Sequence, residues 1–145
     1  MRRALTAEPA PLDMFFPFAA ETLGVVVRVS PRFLPDQSDP QQGQYAWSYH
    51  VRIENRSAAA VQLTHRHWLI TDGNGKVEEV RGPGVVGQTP VLQPGQAFDY
   101  VSGCALSTPS GSMHGSFRMI AGTVPFDAAI PKFGLLSPPP RRAAS

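Results

Sequence analysis

The chain has 145 residues, 42% of them hydrophobic, with 15 prolines and 13 glycines spread along its length. A chain of this size buries roughly 70% of its unfolded surface, so one domain can rest on its own core, and the single cysteine, Cys104, excludes an intrachain disulfide and a cysteine-built zinc site. The formal charge of +2 is no nucleic-acid footprint: nine basic and nine acidic residues balance between Ala20 and Ser137, and the surplus sits at Arg2, Arg3, Arg141 and Arg142.

In chain order, residues 1–21 mix Pro, Ala and Phe without helical or strand period and read as a loosely held arm. Its segment "MFFPFAA" (14–20) is apolar enough to attach to a sheet edge of its own or to a neighbouring copy. The stretch after Arg2-Arg3 is broken by Glu8, Pro9, Pro11, Asp13 and Pro17, against a signal peptide, and no run of 18 apolar residues follows. With the lone cysteine, this makes a cytoplasmic location the expectation. Valine-rich "TLGVVVRVS" (22–30) is the first predicted strand, and "FLPDQSDPQQGQ" (33–44) a long polar loop. "YAWSYHVRIEN" (45–55) alternates cleanly, with Tyr45, Trp47, Tyr49, Val51 and Ile53 on one face and His50, Arg52 and Glu54 on the other.

"AVQLTHRHWLIT" (60–71) and "KVEEV" (76–80) flank the turn "DGNG" (72–75), whose Asn and Gly tolerate positive φ. "QAFDYVSGCAL" (96–106) follows the turn "QPG". "GSMHGSFRMIA" (111–121) and "VPFDAAIPKF" (124–133) form a hairpin about Gly122-Thr123, and "SPPPRRAAS" (137–145) is a disordered tail. Seven short antiparallel strands with no credible helix predict an all-β fold, a β-sandwich of immunoglobulin or fibronectin type III kind spanning 22–136. Trp47, Trp68, Phe98, Tyr100 and Phe117 are the expected core, with Cys104 in phase with Phe98 and Tyr100.

Between two of these strands stands Gly82-x-Gly84-x-x-Gly87, the glycine spacing of dinucleotide-binding loops. Such a loop works because a helix leaves it with its N–H groups aligned on pyrophosphate. Here Pro90 and Pro94 stand where a helix interior needs donors, so the dinucleotide reading fails. What remains is a glycine-rich β-connection: Gly82-Pro83 and Gly84 turn the chain, and Val85 and Val86 are laid on the sandwich. A second reading stays open, a nest of N–H groups that holds an anion with Arg66 and Arg81.

These residues are also familiar as a set. "RHWLITDGNGKVEEVRGPGVVGQTPVLQPGQAFDYVSGCALSTPSGSMHGSF" (66–117), with "YHVRIEN" before it and "FDAAIP" after it, resembles the bacterial ApaG family over roughly residues 22–136. The resemblance implies a fibronectin type III-like sandwich, a genetic link to cobalt and magnesium tolerance and to diadenosine tetraphosphate metabolism, and interaction modules in eukaryotic relatives. Nucleotide or pyrophosphate binding has been suggested for the family's glycine motif, whose residues here are Gly82, Gly84 and Gly87. It implies no catalytic residue set.

Two further chemistries are weighed. His65 and His67 share a strand face and could ligate a metal with His50 from a neighbouring strand and Glu54 as the carboxylate. Two partly exposed histidines beside Arg66 are the plainer reading. Ser107, Ser110 and Ser112 lie near His114, but among Pro and Gly they read as a turn rather than a nucleophile. The expectation is a non-catalytic module without a cofactor that binds a protein partner, with self-association and a phosphate-type anion as further possibilities, and with neither nucleic acid nor membrane as partner.

Overall fold

The computed structural model describes residues 11–139. The outermost arginines and the end of the proline-rich tail lie outside that range. A one-turn helix α1 (Pro11–Phe15) leads into β1 (Phe18–Thr22) and β2 (Val25–Phe33). Then come β3 (Tyr45–Asn55), β4 (Val61–Asp72), β5 (Val77–Pro83), the two-residue β6 (Val91–Leu92), β7 (Ala97–Leu106), β8 (Ser110–Ala121) and β9 (Val124–Leu136). All pairings are antiparallel, in two sheets ordered β1-β2-β3-β7 and β5-β4-β8-β9, with β6 also on β4. The β-sandwich and the seven expected strands are all present.

Two strands were not foreseen. β1 takes the end of the segment read as a loose arm, because Phe18–Thr22 pairs with β2 from Phe18↔Val29 to Thr22↔Val25. β6 is too short to show a period. The polar loop is also ordered, as two 3-10 turns at Pro35–Gln37 and Pro40–Gln42.

The alternation of β3 puts Trp47, Tyr49, Val51 and Ile53 in the core, as its pattern predicts. They meet β4, β8 and β9 in an aromatic seam. Trp68 stands 5.3 Å from Tyr49 and edge-on to Phe117 and Phe133, at 6.2 and 6.0 Å. Trp47 Nε1 donates to the carbonyl of Leu136 (2.9 Å), so the buried indole N–H is satisfied across the sheets. On the same side, Ala129 N donates to Thr22 Oγ1 (3.0 Å), stitching β1 to β9. The sandwich is thus closed at the β1/β9 side, while β7 and β5 end the other side.

The outer face of the first sheet buries charge. Arg28 and Glu54 lie on its polar face, yet their side chains are only 6% and 8% exposed. Glu54 accepts from Arg28 Nε (3.0 Å) and Arg52 Nε (2.9 Å) and pairs with Arg56 Nη2 (3.0 Å). Arg52 also donates to Asp99 (2.7 Å). The buried Phe16 sets its ring edge-on to His50 at 4.8 Å.

Burial by itself would raise the Glu54 carboxyl. Hydrogen bonds from Arg52 and Arg28, with the charges of Arg28 and Arg56, outweigh it and hold the carboxyl below its usual range. The stabilisation is present above the ordinary carboxylate pKa and is lost as pH falls through the depressed value. Glu54→Gln is expected to cost about 3 kcal/mol in urea unfolding at neutral pH. Because the parent carboxyl is itself neutralised in acid, that difference is expected to shrink steadily as the same measurement is repeated at lower pH.

Candidate functional site

The glycine motif is an excursion from an edge strand. β5 pairs with β4 as far as His65↔Pro83, and β6 resumes on the same strand at Gln62↔Val91. Between them Gly84 N donates to Thr64 O (2.8 Å) and Leu63 N donates to Pro90 O (3.0 Å). Residues 85–88 stand out as a two-residue hairpin closed by Val85 N to Gln88 O and Gln88 N to Val85 O, both 2.8 Å. Strand, not helix, follows Gly87. Gly82 and Pro83 belong to β5 rather than to the turn, a correction to the sequence reading.

Each glycine has its own reason. A Cβ on Gly82 would come within 2.8 Å of Arg66 Nη2, so the guanidinium can lie over it only because it is glycine. A Cβ on Gly84 would strike the carbonyl oxygen of Gln88, and its φ is +62°. Gly87 meets nothing; at φ +78° it supplies the second left-handed residue of the hairpin.

The first left-handed residue is Val86, at φ 43°. Val85 is buried, but Val86 is 53% exposed, so only the first of the two valines lies on the sandwich. A β-branched residue is disfavoured at positive φ, because its Cβ crowds the backbone. Val86→Asn, which suits that turn position, is expected to raise stability by about 1 kcal/mol in thermal unfolding.

Arg66 clamps this segment from the neighbouring strand. Its Nη1 donates to the carbonyls of Pro83 (2.9 Å) and Gly84 (3.0 Å). The turn therefore offers oxygens to Arg66, and the amides of Gly84, Val85 and Gln88 all donate within the protein.

The residues singled out for anion and metal binding converge elsewhere, on the outer face of the second sheet. His65, Arg66, His67, Arg81 and Gly82 line a basin of about 270 Å³ with Ser116, Arg118 and Asp127. β4 and β5 bring the first five together through the pairings Arg66↔Gly82 and His67↔Arg81. β8 adds Arg118 opposite His65 and Ser116 opposite His67. Gly84 and Gly87 do not line this basin.

Two carboxylates temper its positive charge. Glu79 Oε2 lies 2.6 Å from His67 Nε2 and accepts from Arg81 Nε (3.1 Å) and Nη2 (2.9 Å). The hydrogen bond with His67, then those from Arg81, hold its carboxyl below the usual range. Asp127 accepts from Arg118 Nε (2.7 Å). Arg66 faces no carboxylate among the described residues.

His50 and Glu54 do not join His65 and His67. β3 and β4 belong to different sheets, so His50 points from the opposite face, 2.9 Å from Asp99, and Glu54 is held by arginines. Among the described residues no three or more His, Cys, Asp or Glu side chains are grouped to hold a metal ion. No hydrogen bond there joins His114 to Ser107, Ser110 or Ser112, and His114 Nδ1 is buried with no partner. The Cys104 thiol is half-buried, and burial, with the charge of Glu78, pushes it up to about 11, away from the thiolate.

Sequence and structure comparisons point to one family. The family model described as the ApaG domain matches residues 35–121. The chain belongs to the ApaG family. ApaG of Beijerinckia indica is 52% identical over 123 residues, covering 83% of this chain and 94% of that one. ApaG of Rhodospirillum centenum is 51% identical over 122 residues, covering 83% and 94%. A Bordetella pertussis protein solved under the name ApaA is 48% identical with a TM-score of 0.77, covering 80% of this chain and 95% of that one. The family match includes the glycine motif, Gly82 to Gly87. No helix among the described residues is long and apolar enough to cross a membrane.

Proposed function

We propose that this ApaG protein is a non-catalytic binding module that recognises a partner protein through the open side of its first sheet. One continuous surface supports the reading. β7 ends its sheet along ten residues, and such an edge is a template for an added strand. Val101 on that strand is 58% exposed and is the cross-strand neighbour of His50, on which Phe16 rests. Met14 and Phe15 immediately before Phe16 are exposed as well. An apolar surface beside an unpaired edge is the kind that proteins use for contact. On this reading the cobalt and magnesium tolerance linked to the family is exercised through the partner. A second copy of the chain is the simplest alternative occupant.

The test is affinity capture of the full chain from its native lysate with mass spectrometry, run beside Val101→Glu and beside Arg81→Ala/Arg118→Ala. A stoichiometric partner is expected to be lost with Val101→Glu and kept with the double variant. A partner retained equally by all three contradicts the edge as the contact.

A second reading, capture of a phosphate-type anion, is favoured by Arg66, Arg81 and Arg118 around one basin with His65 and His67. Diphosphate titrated calorimetrically is expected to bind saturably, and Arg81→Ala to weaken it about tenfold. No heat up to millimolar diphosphate removes this reading and leaves the first untouched.

A further inference from the structure

The hydrogen bonds of β3 show which backbone groups of β7 are left over. Ala46 O accepts from Leu34 N (2.8 Å), and Arg56 N donates to Gly24 O (2.8 Å), so even-numbered residues along β3 bond toward β2. Asn55 N donates to Gln96 O (2.9 Å), so the odd-numbered ones bond toward β7. Their partners in register are Phe98, Tyr100, Ser102, Cys104 and Leu106. The N–H and C=O groups of Ala97, Asp99, Val101, Gly103 and Ala105 therefore point off the edge of the sheet. Among the described residues none of these five has a backbone hydrogen bond elsewhere. Asp99, Val101, Gly103 and Ala105 are also exposed.

The other sheet edges are blunted, and this one is not. β5 carries Glu78, Glu79, Arg81 and Pro83, and β9 carries Pro125, Pro131 and Lys132. β1 is only five residues long and is tied to β9 through Thr22. Charge, proline and shortness are the devices by which an edge strand avoids pairing with another chain. β7 runs for ten residues with no proline, lysine or arginine and no register shift against β3. Its one charge, Asp99, is answered in place by Arg52 (2.7 Å), with His50 beside it (2.9 Å).

We infer that β7 pairs antiparallel with β7 of a second copy of this chain, about a twofold axis at Val101. This register uses all five outward residues. Val101 faces its own counterpart, Asp99 faces Gly103 of the second copy, and Ala97 faces Ala105 of the second copy. Each Asp99 carboxylate is thus set opposite a glycine, whereas an axis at Asp99 would bring two like charges face to face. On the inner face the same register sets Phe98 opposite Cys104 and Tyr100 opposite Ser102, so neither ring opposes another. Val101, 58% exposed in the single chain, gains a β-branched neighbour at the centre.

A strand of unrelated sequence offers the same backbone groups, but this match of charge and bulk is specific to a second copy. The two first sheets become one, running β1-β2-β3-β7 and back through β7-β3-β2-β1. Both ends of the joined sheet are then the short β1, so the assembly closes at two chains instead of growing. The inference rests on the reading of β7 as a contact edge and names its occupant.

The experiment is sedimentation equilibrium of the purified full chain, beside Val101→Glu, Val101→Lys and an equimolar mixture of the two. The unaltered chain is expected at twice the mass of one chain at about 100 μM. Each variant alone sets two like charges opposite each other at the axis and is expected to weaken association at least about tenfold. Mixing them sets Glu against Lys and is expected to restore the dimer, which variants that merely misfold cannot do. A monomer at about 1 mM, a dimer unchanged by either variant, or a mixture no better associated than its parts would each overturn the inference. Only the purified chain is read here, so a monomer leaves the capture of another protein by this edge standing.

Discussion

At Thr64, β4 takes one more residue than the strand it pairs with: Leu63 faces Met119, but the next partner, Arg118, faces His65. This bulge reverses the phase of the strand. Val61 and Leu63 point inward before it, and Trp68 points inward after it. Had the alternation continued from Leu63, His65 and His67 would have been driven into the core and Trp68 out of it. The bulge is held from both sides, since Thr64 Oγ1 donates to Arg118 O (3.2 Å) and Thr64 O accepts from Gly84 N (2.8 Å). The glycine excursion is its counterpart on the neighbouring strand. With the phase reversed, Arg66 can fold over Gly82 and the two histidines face solvent beside Arg81 and Arg118.

A second asymmetry lies between the two sides of the sandwich. One side of the sandwich is stitched by Thr22, Trp47 and β9, and the ionic cluster about Glu54 lies on the outer face of the first sheet. Among the described residues the other side, between β5 and β7, has no such stitching. The strained Val86 and the unpaired edge of β7 lie on or near that side. Val86 and Val101 are exposed, so substitutions there leave the aromatic seam intact.

The seven predicted strands were legible because each has a period or a turn signal of its own. β3 alternates without interruption, and Asp72 Oδ1 accepts from the amides of Asn74 and Lys76 (2.8 and 3.0 Å), as a tight turn requires. β1 was missed because "FAAET" has two alanines and no β-branched run. It is a strand because β2 offers it an edge and Thr22 a partner on β9. Arg118, Ser116 and Asp127 were missed as basin residues for a related reason. They are distant in sequence from His65 and Arg81, and only the pairing of β8 with β4 and β9 puts them there.

The sequence by itself determined the all-β class, the principal turns, the core side of β3 and the failure of the dinucleotide loop, since Pro90 removes a donor wherever the chain goes. These follow from backbone chemistry local to a few residues. Only the tertiary structure decided which histidines could meet, that Arg66 clamps the glycine excursion, and that Tyr100 is buried. Those depend on register and on which sheet each strand joins. A one-residue bulge, invisible in the letters around Thr64, shifts every side chain that follows it to the other face.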